Sequence, residues 1–185
     1  MKESSKKDEI IYSKNVIEFI TVANEYCLFI EKTANYEKED IIQYFLKVCP
    51  LLYLKGILLP TSEDNDFEIT ERYVTQENWE TIFFTLKNKF GKDDSYWTIV
   101  NNNADEIAPA KASIAEHLVD IYQDMKDFIM LYQKGTQASK ENAVAECRYL
   151  FETHWGSRLA NAHRALHNIA YTENIRNDDF YESEN

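Results

Sequence analysis

At 185 residues and 44% apolar side chains, with ten Phe, twelve Tyr and three Trp, the chain has enough bulky apolar surface for one folded core and too much for a disordered protein. A formal net charge of −12 opposes phosphate backbones and anionic lipid, and no basic patch offsets it, which argues against nucleic-acid and membrane-surface binding. Four glycines and three prolines give too little punctuation for many short strands, so long helices with few connections are expected.

Residues 1–13 read as a flexible polar leader without an apolar run of signal-peptide length, which predicts a cytoplasmic protein. Val16, Ile20, Ala23, Cys27 and Ile30 then recur at helical spacing, with Ser13 or Asn15 as the cap. The second segment, from about Lys38 to Leu59, is the most apolar. Gln43, Lys47 and Lys55 on one side, together with Pro50, argue against a membrane span, and the segment is expected to be the central, most buried helix.

Pro60 and the acidic run Ser62 to Asp66 mark a loop. Thr75 is placed to cap a third helix, Val74 and Trp79 to staple it, and Gly91 to stop it. Residues 92–110 read as one long irregular connection, anchored to the core by Tyr96, Trp97, Ile99 and Val100. The fourth helix has the clearest period: Ile114, Leu118, Ile121, Met125, Phe128 and Tyr132 follow a heptad seam up to Gly135. The fifth is expected after Ser139, through Trp155 to Ile169, with Gly156 at a bend or close approach. Together these predict an all-α fold: an up-and-down bundle of about five helices over 14–170, followed by a flexible acidic tail at 171–185.

Cys27, Cys49 and Cys147 lie inside apolar stretches without CxxC or zinc spacing, and are read as reduced core thiols. No GxSxG, Gly-rich phosphate loop or other cofactor motif occurs, so no cofactor is expected. His163 and His167 are four residues apart and could share a metal ion, although rim histidines are the plainer reading of that spacing. Glu116, Asp120 and Asp127 fall on outward positions of the fourth helix, whereas Asp124 flanks the core. Arg158 borders the apolar arc of the fifth helix and, if buried, needs an acidic partner, for which Asp124 is the leading candidate. Arg158, Asp124, Tyr122, His154 and Trp155 are thus the candidate ligand-binding group, with an inter-helix ion pair as the alternative.

The stretches Val16 to Cys27 (VIEFITVANEYC), Leu51 to Lys55 (LLYLK), Asp120 to Phe128 (DIYQDMKDF) and Trp155 to Leu159 (WGSRL) resemble the bacterial family known as domain of unknown function 5063. The resemblance spans roughly residues 14–170. It implies a small helical cytoplasmic bacterial protein and assigns no activity, cofactor or catalytic residue to any position. The leading functional expectation is a non-catalytic helical module that binds another protein, with an exposed aromatic patch near Tyr96 and Trp97. A small-molecule or anion-binding protein, or an enzyme, with its site around Arg158, Asp124, Tyr122 and His154 is the alternative, and a metal site at His163 and His167 the weaker one.

Overall fold

The structure is a computed structural model that describes residues 10–61, 72–103 and 106–182, without the side chains of 100–103, 106, 107 and 173–182. The leader through residue 9 and the acidic run Ser62 to Asp66 lie outside the described residues. The α-helical segments α1 (Lys14–Ile30), α2 (Lys38–Ile57), α3 (Gln76–Phe90), α4 (Ile114–Gln133), α5 (Gln137–Leu150) and α6 (Gly156–Glu182) form a helical bundle. A five-residue π turn, Phe151–Trp155, joins α5 to α6 without a break, so these segments are the single fifth helix expected from the sequence. Its cap is Thr136, which accepts the Ser139 amide at 3.1 Å, three residues earlier than expected.

The other helix ends follow their sequence signals. Ser13 occupies the α1 cap position, although its side chain makes no capping bond. Thr75 caps α3 by accepting the Asn78 amide at 3.2 Å. After α3 and α4 the chain turns through Gly91 at φ 57° and Gly135 at φ 84°, a backbone region that side chains with a Cβ rarely enter. The buried Asp94 accepts both the Ser113 hydroxyl and the Ala115 amide at 2.8 Å, which places a carboxylate at the positive end of α4.

The central helix is α4, not α2. Its heptad seam is buried from Ile114 to Phe128 and half-buried at Tyr132, and Ala115, Val119, Tyr122, Asp124, Asp127, Ile129 and Leu131 are buried as well, because α1, α3, α5 and α6 all pack around it. On α2 the face with Ile41, Phe45, Cys49 and Leu52 is buried, while Leu51, Leu54, Ile57 and Leu58 are exposed. The apolar content of α2 exceeds the surface its neighbours cover. Pro50 lies inside α2, and Arg148 closes the far end by donating to the carbonyls of Gly56 at 3.1 Å and Ile57 at 2.7 Å. All three cysteines are buried and free. Among the described residues no helix is long and apolar enough to cross a membrane.

Residues 95–113 correct the sequence reading most plainly. In place of an irregular connection they form an antiparallel hairpin, β1 (Ser95–Asn103) and β2 (Glu106–Ser113). Tyr96 to Val100 is an unbroken run of aromatic and β-branched residues, which suits a strand. Its partner is rich in alanine and contains Pro109, so no comparable signal marks the second strand. Tyr96 packs against the core, whereas Trp97 and Ile99 project into solvent.

Candidate functional site

Asp120, Asp124 and Asp127 stand at i, i+4 and i+7 on α4 and therefore share one stripe of the helix. That stripe is not the solvated ridge expected for Asp120 and Asp127. It faces a groove between the chain leading into α3 on one side and the π turn with α6 on the other. Asp124 is 3% exposed and Asp127 6% exposed, Asp120 is half-buried, and Glu116 is exposed as expected.

Each of the three carboxylates has both oxygens engaged. Asp120 accepts Trp79 Nε1 at 3.2 Å and Arg158 Nε at 3.0 Å. Asp124 accepts Arg72 Nη1 at 3.1 Å and His154 Nδ1 at 2.6 Å. Asp127 accepts the Tyr73 amide at 2.7 Å and Arg72 Nη1 at 3.0 Å. Burial pushes the Asp127 carboxyl above its ordinary range, against the pull of the Tyr73 amide and of Arg72. Burial also works against the Arg72 charge, but Asp127 and Asp124 outweigh it and hold the guanidinium above its usual value. Two guanidinium groups and an imidazole thus face three carboxylates in one closed polar seam.

The five residues singled out from sequence are divided by this arrangement. His154 and Asp124 meet directly. Arg158 lies one turn beyond His154 and pairs with Asp120, not Asp124. Tyr122 points to a different face of α4, where its hydroxyl donates to Glu31 Oε1 at 3.0 Å beside Lys126. Trp155 is fully buried and donates its indole N–H to the Cys147 carbonyl at 3.2 Å. Arg72, Trp79 and Asp127 complete the seam and were not anticipated. The spacing of the aspartates was visible in the sequence, but no local signal brings Arg72 to them.

Chemically, the seam leaves one accessible group of interest. A buried carboxylate that fixes an imidazole through Nδ1 aims Nε2 outward, and His154 is about one-third exposed. No hydroxyl or thiol is bonded to that nitrogen among the described residues; the nearby Ser157 hydroxyl donates to the His154 carbonyl instead. His167 is exposed and its ring lies tilted against Tyr171 at 4.7 Å, and His163 is half-buried. No cluster of three or more His, Cys, Asp or Glu side chains placed to hold a metal occurs among the described residues.

A family model described as domain of unknown function 5063 matches residues 10–172. The chain belongs to this family. A protein of Bacteroides fragilis known from a crystal structure is similar to it, at 38% identity and a TM-score of 0.76, over 88% of this chain and 96% of that one. No curated protein matches the chain. The family model therefore covers every element from α1 through the hairpin and the aspartate seam and most of α6, and its description carries no activity to place on them.

The hairpin is the second candidate site. Trp97 and Ile99 are two residues apart on β1, on the same face, and are 63% and 68% exposed. Lys111 lies opposite Trp97 in the register, with its ammonium 5.7 Å from the indole ring. At the foot of the hairpin the Arg164 guanidinium covers the Tyr96 ring at 5.6 Å and donates to the Trp97 carbonyl at 3.2 Å. α6 thereby holds the base of a ribbon whose outer apolar face is uncovered.

Proposed function

We propose that this chain is a non-catalytic helical protein-interaction module of the bacterial cytoplasm that contacts its partner through the outer face of the β1–β2 hairpin. The observation that carries this reading is the exposed pair Trp97 and Ile99 on a two-stranded ribbon. A hairpin of two strands is marginal in water unless something packs on it or extends it, and each strand here has an edge unpaired by the other. Tryptophan is also among the residues that most often dominate binding energy at protein interfaces. With a net charge of −12 the chain favours a basic or apolar partner surface over an acidic one.

Photo-cross-linking tests this assignment in the native host, with the cross-linking amino acid placed at position 99 of the hairpin and, separately, at position 54 on the exposed stripe of α2. A discrete cross-linked protein at position 99, lost when Trp97→Ala is added, is the expected result. Cross-links confined to position 54 would move the interface to α2. None at either position would end the interaction reading. The alternative reading, an anion-binding protein or enzyme site around Arg158, Asp124, Tyr122 and His154, rests on the outward-facing His154 nitrogen. Against it, Tyr122 lies apart and every carboxylate oxygen of the seam already has a partner within the chain.

A further inference from the structure

We infer that the cleft between the foot of the hairpin and α6 is a binding site for a small oxyanion, a carboxylate or a phosphate. The cleft has a volume of about 260 Å³, and its walls include Lys92, Ser95, Tyr96, Arg164 and Asn168, with Trp97 at one side. This inference does not rest on the hairpin's partner; a separate set of side chains carries it.

Three observations converge on an anion. Arg164 is bonded only to the Trp97 carbonyl and stacked on Tyr96, so its guanidinium reaches the cleft without a carboxylate partner among the described residues. Lys92 likewise has no ion-pair partner there. In a chain with 32 acidic and 20 basic residues, two cations without carboxylates beside one cleft form a local reversal of the global charge. The remaining acidic wall residue, Asp93, is already engaged by Lys38. The second observation is Tyr96: its ring lines the cleft, and its hydroxyl is buried without any hydrogen-bond partner. A buried hydroxyl left unpaired is costly, and a rotation of the ring that carried it to an acceptor oxygen in the cleft would relieve that cost. Third, the polar groups are of suitable kinds. A guanidinium and an ammonium supply charge, and the Tyr96 and Ser95 hydroxyls with the Asn168 amide supply neutral donors. The volume is below the usual range for drug-sized ligands, which fits a small anion or the acidic end of a larger molecule.

Isothermal titration of the full chain with inorganic phosphate and, separately, with benzoate tests the site, because the two probes share the oxyanion and differ in shape and charge. At least one should bind saturably, and affinity should fall about tenfold or more in Arg164→Gln, the loss expected for one charge-assisted hydrogen bond. Tyr96→Phe, which removes only the hydroxyl, should weaken the same probe while leaving the fold intact. Lys92 is exposed, so Lys92→Gln provides a charge variant that folds even if Arg164→Gln does not. Phosphate binding alone would assign a tetrahedral dianion, and benzoate alone a planar carboxylate. The absence of saturable binding by either probe, or binding unchanged in Lys92→Gln and Tyr96→Phe, would overturn the inference.

Discussion

His154 Nδ1 donates to Oδ2 of the buried Asp124 over 2.6 Å, and this one carboxylate joins the π turn to the chain entering α3 because its other oxygen accepts Arg72. Asp124→Ala removes the acceptor shared by Arg72 and His154. The expected cost is about 2 kcal/mol, between the values for exposed and fully buried pairs because Arg72 and His154 retain contact with solvent. Equilibrium urea denaturation measures it.

Double-mutant cycles distinguish the observed pairing from the pairing of Arg158 with Asp124 expected from sequence. Asp124→Ala and Arg72→Ala should couple by about 1 kcal/mol or more, whereas Asp124→Ala and Arg158→Ala should be additive within about 0.5 kcal/mol because they share no partner. Strong coupling in the second cycle would contradict the Asp120–Arg158 bond.

Gly56 marks a close approach of α2 to the π turn. A Cβ there would lie 2.4 Å from the tip of the Trp155 ring and 2.8 Å from Phe151, and Trp155 is fully buried with no room to rotate. Gly56→Ala should destabilise the fold by about 1–3 kcal/mol, the usual cost of overpacking a core. A shift of the urea midpoint with unchanged slope would confirm that the native state alone is affected.

Acid sensitivity should depend on His117. Both ring nitrogens are buried without partners, and burial, reinforced by the Arg158 guanidinium and His154 and opposed by Asp120 and Asp94, holds the imidazole below its ordinary 6.5. The unfolded chain therefore takes up a proton that the folded chain resists. Stability linked to His117 is fully present above about pH 6.5 and is lost as pH falls through the lower folded value. Tm should fall less in His117→Gln than in the wild type between about pH 7.5 and about pH 5. Parallel profiles would show that this imidazole does not govern the transition.

The three thiols should be inert in the folded protein. Burial raises Cys27, Cys49 and Cys147 far above the ordinary thiol value, so thiolate is scarce and access is closed. Labelling with a chromogenic disulfide reagent should be slow in the native state and reach three thiols per chain in denaturant. Rapid native labelling of any of them would place that cysteine at an accessible surface.

The helices, both ends of α3 and the seam of α4 were legible in the sequence because they depend on local information. A 3.6-residue period shows which side of a helix is apolar, and residues such as Thr75 and Gly91 mark its ends within one turn. The same period could not show that α4 rather than α2 occupies the centre. Burial depends on how many neighbours a face has, and Leu54 is as apolar as Leu118 although the first is exposed and the second buried. The hairpin was hidden because a strand depends on its partner, and the alanine-rich partner of Tyr96 to Val100 carries no strong signal of its own. The pairing of charges was beyond local reach for the same reason. Helical spacing put Asp120, Asp124 and Asp127 on one stripe, but Arg72 is 52 positions before Asp124 and Arg158 is 38 positions after Asp120, and only the packing of the helices decided which cation met which carboxylate.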